Sequence, residues 1–538
     1  MMSNFGALLD SLLQDTIGRS VGVFAPELIL CATILLTLFV RLFDADRRLP
    51  TYWVALIGSL GAFLLAYFQF IQLRQGSAGS EAYFTGLLVF DQFSVFFRVF
   101  LLLFLVLVVS LTILTGLPDL EDGPDFYTLL IGSTVGMMLM ASANHLLILF
   151  LGVEMASVPS YAMVGFLKGR RSSSEAALKY VVYGAGAAGV MLYGVSLLAG
   201  LLGTANLPQI AAQLESLAGS GRGIMDPVVR TAFLGAMMVL AGLAFKLSLV
   251  PFHFWCPDAF EGAPAEVAGY LSVASKAAAF ALLVRFCLAF AGSDAESLQT
   301  LYRALGVGLG LVAVVTATYG NLVAYVQNNM KRLLAYSTIA HAGYMLMAVA
   351  ALLVINNAPA GTSLDVAAES RRCLEGLLYY LCVYLFMNLG AFAIVALIRN
   401  EIFSEDIRDY AGLGFQAPLL GICMAICLFS LTGVPPLGGF VGKLFIFASV
   451  VQAAKIAPWM WVVLVLGLLN TVFSLFYYMR VVRAMFLTAR PEGARKLEIP
   501  FTPIGAYVSI LTVPILVLGV YIRGLSDLAQ GVAAVFFQ

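Results

Sequence analysis

Residues 244–262 read AFKLSLVPFHFWCPDAFEG. They set Lys246 in a run apolar enough to lie inside a membrane, and five positions later comes Pro251. A lysine at the centre of a spanning helix costs about 2.5–3.5 kcal/mol on an insertion scale, and proline removes a backbone donor and breaks the helix. Non-helical backbone at membrane depth is tolerated only where it is buried in protein or lines a watery cavity. The stretch therefore points to a polytopic membrane protein with discontinuous helices and a polar interior.

The rest of the chain agrees. Of its 538 residues 61% are hydrophobic and 11% charged, the balance of a polytopic membrane protein. A spanning helix needs roughly 20 apolar residues, and such windows recur about fourteen times, the seventh at 229–256 and the twelfth, interrupted by Pro435 and Pro436, at 416–452. The predicted fold is all-α. Lys plus Arg (30) equals Asp plus Glu (30), so charge offers nothing to nucleic acid, and lipid and protein are the expected partners. The first twenty residues carry no basic leader, so no cleaved signal is expected. Loops after the odd-numbered segments collect fifteen Lys and Arg against nine on the other side, which puts both termini on the non-cytoplasmic face. Lys331 and Arg332 count among the fifteen.

An internal repeat is readable. EAALKYVVYG at 175 and EGLLYYLCVY at 375 share Glu, Leu and Tyr, and PSYAM at 159 matches AGYML at 342 around Tyr161 and Tyr344. Two five-helix units result, 126–291 and 300–488, each ending near a proline-broken helix, after three N-terminal helices in 1–125 and before a last helix in 489–538. Five is odd, so the units must be inverted, the plan of secondary transporters with broken helices.

Depth separates the ionisable groups. Glu154 lies about 13 Å past His145 along a helix, Lys276 about 15 Å past Glu266, and Lys246 about 18 Å from Asp258; Lys443 lies about 14 Å from its segment end and Lys179 about 12 Å past Arg171. Five charges at such depth imply a hydrated axis in which moving a neighbour moves a proton. For each lysine the plainer reading is a packing device, paired with a carboxylate or a carbonyl, and for Lys179 a simple i to i+4 pair with Glu175 is available. His253 reads as a relay at the break or an interfacial group satisfied by a carbonyl, and His341 as packing or relay. Arg98 and Arg285 are close enough to an interface to snorkel. GAGAAG at 184–189 fits the GxGxxG pattern, but it lies mid-helix, where small residues permit close helix packing. The seven cysteines include no CxxC pair and read as buried small residues, with no basis for a zinc or iron–sulfur site. No phosphate-binding loop is present to drive ATP-dependent transport.

Six stretches carry a resemblance: LLILFLGVEMASVPSYAMVGF, SSEAALKY, AGLAFKLSLVPFHFWCPDAFEGAP, SVASKAAAF, NNMKRLLAYSTIAHAGY and LFSLTGVPPLGGFVGKLFIF. Over about 90–490 the chain resembles the antiporter-like membrane subunits of respiratory complex I and of multisubunit cation/proton antiporters. Within that family Lys443, Lys179 and the lack of a long lateral helix after the fourteenth suit the N-type subunits of NADH-quinone oxidoreductase. The resemblance implies a proton path through Glu154, Lys179, Lys246, Lys276 and Lys443, with His253 a weaker member. It also implies a multi-pass location in a bacterial inner membrane among other membrane subunits, including other antiporter-like ones. Flavin, iron–sulfur clusters and quinone would belong to partner subunits and none to this chain. The alternatives are a cation/proton antiporter subunit without a redox partner, and a scaffold whose lysines only pair internally.

Overall fold

The computed structural model describes residues 10–43, 49–76, 80–119, 121–219, 226–290, 295–490 and 501–537. Five of the loop cations counted above, Arg47, Arg48, Arg222, Arg495 and Lys496, lie outside the described residues, as do the first nine of the twenty N-terminal residues considered above. Fourteen helices among the described residues are long and apolar enough to cross a membrane. They are α1 (Ala25–Leu42), α2 (Thr51–Gln75), α3 (Gln92–Thr115), α4 (Gly123–Ser142), α5 (Leu146–Val164), α6 (Arg171–Leu202) and α7a (Pro227–Leu247). Then follow α8 (Ala265–Ala289), α9 (Glu296–Ala324), α10 (Met330–Asn356), α11 (Val366–Ile402), α12b (Gly438–Ile456), α13 (Met460–Leu487) and α14 (Pro503–Val520). Two shorter helices complete the broken pair: α7b (Trp255–Gly262) after α7a, and α12a (Pro418–Thr432) before α12b. Both predicted interruptions are therefore real, at 248–254 and 433–437.

Burial orders these helices. α10 is buried along its entire apolar window, α8 and α11 nearly so, and α6 along only 22% of its own. The core thus forms around α8, α10 and α11, while α1, α2 and α6 present residues such as Trp53, Ile57, Leu64 and Leu178 outward, an apolar rim of the kind a bilayer covers. GAGAAG follows this geometry only in part. A Cβ on Gly184 would stand 2.0 Å from the Tyr161 hydroxyl, but nothing lies within 4 Å of Gly186 or Gly189. Close packing therefore explains the first glycine alone.

The all-α expectation needs one addition. A hairpin, β1 (Glu81–Tyr83) and β2 (Leu88–Phe90), joins α2 to α3. Its turn carbonyl at Gly86 accepts from Asn144 (3.1 Å) and Asn206 (3.3 Å), tying the α4–α5 and post-α6 loops together. Two amphipathic helices, Leu207–Gly219 and Arg523–Ala533, are also too short or too polar to register as spans.

Several charges sit elsewhere than expected. Arg98 and Arg285 do not snorkel: both are buried and turn inward. Arg98 Nε pairs with Glu27 at 2.7 Å. Arg285 grips Asp91 with two nitrogens, at 2.7 and 3.1 Å, and donates to the Ala141 carbonyl at 2.5 Å. Asp91 also caps α3, accepting from Ser94 N at 2.7 Å. Snorkelling loses because each guanidinium finds a carboxylate and carbonyls within reach, satisfying its donors without solvent. Lys331 is not a loop cation either. It is buried, paired with Glu405 at 2.9 Å and hydrogen-bonded to the Ala263 carbonyl at 2.6 Å. Among the cysteines Cys31 is exposed and Cys382 intermediate, while the other five are buried as expected.

Candidate proton path

Both breaks end their first half-helix in the same way. At α7a Ser248 takes a left-handed conformation (φ +58°), its N–H bonds the Phe245 carbonyl at 3.0 Å, and Leu249 N reaches back to Ala244 O at 2.9 Å. At α12a Gly433 is left-handed (φ +92°), its N–H bonds Ser430 O, and Val434 N reaches Phe429 O, all at 3.0 Å. This Schellman geometry satisfies the earlier carbonyls and leaves the last ones without an N–H of their own helix. Those last carbonyls carry the negative end of the helix dipole.

Lysines occupy them. Lys443, on α12b, donates to Leu431 O at 3.0 Å and to Thr432 O at 2.9 Å, with its nitrogen 4.5 Å from the centre of the Tyr344 ring. Lys276, on α8 directly after a π-helical stretch Leu271–Ser275, donates to Leu247 O at 3.0 Å and Thr338 O at 3.3 Å. Lys246 itself, one residue before the end of α7a, donates to Ser157 Oγ at 3.0 Å. Ser157 is three residues past Glu154 on α5, and the carboxylate whose field reaches Lys246 is that of Glu154. Glu154 Oε1 is buried without a hydrogen-bond partner.

Helix α10 joins the two lysine cradles. Thr338, His341 and Tyr344 follow at three-residue spacing and so share a face. Thr338 O holds Lys276, Tyr344 lies under Lys443, and His341 stands between, feeling the charge of both lysines. Its ring nitrogens contact the hydroxyls of Tyr380 (2.5 Å) and Tyr478 (3.2 Å), and Tyr478 continues to Ser337. The half-buried Glu154 and the buried Lys246, Lys276, His341 and Lys443 thus form one string across α5, α7a, α8, α10 and α12b.

Two candidates fall outside it. Lys179 is partly exposed and doubly paired, to Glu175 and to Asp258, each at 2.8 Å. Asp258 is shared with Arg332 at 2.7 Å, which also holds Glu261 at 2.6 Å. Burial pushes the Asp258 carboxyl up, but the hydrogen bonds from Lys179 and Arg332 outweigh it and hold the group below the usual carboxylate range. His253 lies in the first break, buried against Tyr319 and Phe254 with ring centres 4.3 Å from each, and neither ring nitrogen has a hydrogen-bond partner in the protein. Sequence reasoning allowed a carbonyl partner for each buried lysine but missed Ser157, Tyr380, Tyr478 and which carbonyls form the cradles. Gly433 just before Pro435 was a readable signal for one cradle, since a glycine there marks a left-handed helix end. Among the described residues no group of three or more His, Cys, Asp or Glu is arranged to hold a metal ion.

Fourteen spans, two broken helices and a buried lysine string define an antiporter-like membrane subunit. The family described as NADH:quinone oxidoreductase/Mrp antiporter, TM, matches residues 143–474. A relative from Chloroherpeton thalassium, named NADH-quinone oxidoreductase subunit N 2, is 37% identical over 527 residues, covering 96% of each chain. The chain belongs to the NADH-quinone oxidoreductase subunit N family. A chain of respiratory complex I from Thermus thermophilus with bound aureothin is 30% identical, with a TM-score of 0.70 over 94% of this chain and 99% of that one. A chain of the Mrp complex from a Dietzia species, 19% identical, shares the fold alone, with a TM-score of 0.77 over 96% of this chain and 97% of that one.

Proposed function

We propose that this chain is a proton-translocating membrane subunit of an NADH-quinone oxidoreductase. It would couple quinone reduction in other subunits to proton movement along Glu154, Lys246, Lys276, His341 and Lys443. The observation that carries the reading is the pair of carbonyl cradles. A carboxylate partner would bind the ammonium and release the neutral amine, locking the proton in place. A backbone carbonyl accepts a hydrogen bond from either form, so the proton can leave while the side chain stays positioned. Glu154 supplies the one formal negative charge at the start of the string, and any change in its distance from Lys246 alters where the proton rests. His341, between two tyrosine hydroxyls, is the relay that links Lys276 to Lys443. His253 is a second proton group at the first break. Lys179 acts with Asp258 and Arg332 at the mouth of the first half of the chain rather than on the buried string.

The same reading carries the finer proposals. Residues 126–291 and 300–488 are inverted units, and Lys276 and Lys443 sit at equivalent breaks. The chain lies in a bacterial inner membrane with both termini on the non-cytoplasmic face, beside other antiporter-like subunits, and flavin, iron–sulfur clusters and quinone are held by partners. Identity of 37% over nearly the whole chain to a subunit N protein, against a fold-only likeness to an Mrp subunit, favours the redox-driven complex over a free-standing antiporter.

The test is Lys246→Ala in the assembled complex. Assembly retained with proton translocation lost is expected; unchanged translocation refutes the mechanism. Affinity extraction of the chain separates the two complexes, because co-purification of NADH-quinone reductase activity with flavin and iron–sulfur signals is expected only of the first.

A further inference from the structure

Ten residues before Lys276, α8 carries a buried carboxylate that the string above does not use. Glu266 is 2% exposed, and its Oε2 has no hydrogen-bond partner in the protein. A carboxylate in the first turn of a helix is favoured by the dipole. That accounts for an acid at this end of α8, but an exposed acid would gain as much, so the burial needs another reason.

Between Glu266 and Lys276, Gly269, Ser272 and Ser275 interrupt a segment whose other residues are Val, Ala, Tyr and Leu. Of these, Gly269 and Ser272 face α11: a Cβ on Gly269 would stand 3.1 Å from the Phe392 side chain. Ser272 Oγ accepts from Asn388 Nδ2 at 2.5 Å and donates to Gly269 O at 2.7 Å. Asn388 Oδ1 and Ser275 Oγ are both buried without a partner in the protein. One turn back on α11, Tyr384 meets Thr338, whose carbonyl holds Lys276. Unpaired polar atoms on Asn388 and Ser275, flanking the Ser272 contact in the seam between two buried helices, are the partners an internal water needs. Glu266, in the first turn of α8, lies at the end of that helix nearest the Lys/Arg-rich loops. Glu266 there faces Lys331 and Tyr507; Lys331 is paired with Glu405, which Arg399 also approaches at 3.5 Å, and Asp258 and Glu261 lie on the preceding helix α7b.

We infer that the α8–α11 seam delivers protons to Lys276, with Glu266 as the collecting group. The inference rests on the reading of Lys276 as a proton carrier. Glu266 takes a proton from water at the Lys/Arg-rich face. It passes that proton along water held by Asn388 and Ser275 to the neutral amine of Lys276, and it returns to the carboxylate. Glu266 and the bridging water each gain one proton and release one, Lys276 ends as the ammonium, the face water has lost the proton, and no electrons move.

The experiment uses the assembled complex in sealed membrane vesicles. It measures the amount of chain in the intact complex, quinone reduction, and proton uptake from pH 6 to 9, roughly the range in which such groups operate. Glu266→Gln keeps shape but cannot collect a proton. Proton uptake should fall on the order of tenfold or more, the deficit deepening as pH rises and free protons become scarcer, with Glu266→Asp recovering most of the rate. Asn388→Leu, which dries the seam without touching a titrating group, should give the same deficit at normal assembly. A purely structural Glu266 would change assembly and leave the pH profile alone, which overturns the inference. So does a Glu266→Gln complex with normal rate and profile beside an inactive Lys276→Met complex. Should Glu266→Gln fail to assemble, normal uptake by Asn388→Leu overturns it. A Lys276→Met complex that translocates normally refutes the proton-path reading itself, and the seam's role with it.

Discussion

Gly433 can be given a methyl group without altering any ionisable residue. Its φ of +92° is left-handed, and a Cβ there would stand 3.1 Å from Lys443 Cδ and 3.7 Å from both Cε and Nζ. Two costs follow from Gly433→Ala. The left-handed conformation costs an alanine about 1–2 kcal/mol. The methyl also presses on a lysine pinned at its tip by Leu431 O and Thr432 O and bounded by the Tyr344 ring. A hydrogen bond from a charged donor contributes about 1.5–3 kcal/mol. Losing one of the two is therefore about one to two powers of ten in cradle occupancy, at roughly 1.4 kcal/mol per tenfold. Proton translocation in sealed vesicles should fall by about that factor, although Lys443 and every charge in the string remain. Gly308→Ala is the control: the site is exposed in α9 with nothing within 4 Å of the new methyl, and the change should stabilise the helix by about 0.5–1 kcal/mol. Equal translocation by the Gly433→Ala and unmodified complexes, at equal assembly, would refute the claim that the carbonyl cradle holds the working lysine.

His341→Phe should pack acceptably among Tyr344, Tyr380 and Tyr384, leaving assembly near normal while proton uptake collapses; a Phe variant that translocates normally removes His341 from the path. Asp91→Asn leaves Arg285 buried without its partner charge, and breaking such a pair costs about 3–5 kcal/mol, so thermal melting of the extracted complex should shift downward, with loss of activity following loss of assembly. Because the Asp258 carboxyl is held below the usual range, its stabilising contribution is complete above its unfolded value of about 3.9 and is lost as pH falls through the lower folded value. Asp258→Asn should therefore be destabilised by a constant amount from pH 8 to 5, the gap to the unmodified chain closing only below about pH 4, as read by melting against pH. Lys179→Met removes a partly exposed ion pair worth about 1 kcal/mol or less, and its effect on translocation should be far smaller than that of Lys246→Ala.

Hydropathy carried most of the fold, because a spanning helix must be apolar over its whole length whatever it packs against. The described residues hold fourteen spans, as the windows predicted, and both interruptions, near Pro251 and near Pro435 and Pro436, are present. The hairpin at 81–90 and the helices Leu207–Gly219 and Arg523–Ala533 were not legible, being short pieces fixed by contacts such as Gly86 with Asn144 and Asn206. Charge depth gave Lys246, Lys276, Lys443 and Glu154, since no distant residue is needed to know that they are deep. What each charge meets was another matter. Arg285 finds Asp91 across 194 positions, and Lys331 finds Glu405. Neither partner is visible from the spacing of the cation itself. Which carbonyls form the cradles was illegible for a deeper reason: the acceptors are backbone atoms, which every residue has, so no side-chain pattern announces them.

Those cradles have the chemistry of an alkali-metal site. Converging main-chain carbonyls at a helix end are what a protein uses to replace the hydration shell of sodium or potassium. At Leu431 and Thr432, and again at Leu247 and Thr338, the place is taken by an ammonium that the chain carries itself. Being covalently tethered, that ion cannot be released to either side of the membrane, and a free metal ion would have to evict it to bind. Only its proton is detachable. On the proposed proton path, a preference for H⁺ over Na⁺ at these two positions would come from occupancy rather than from the fit of a filter.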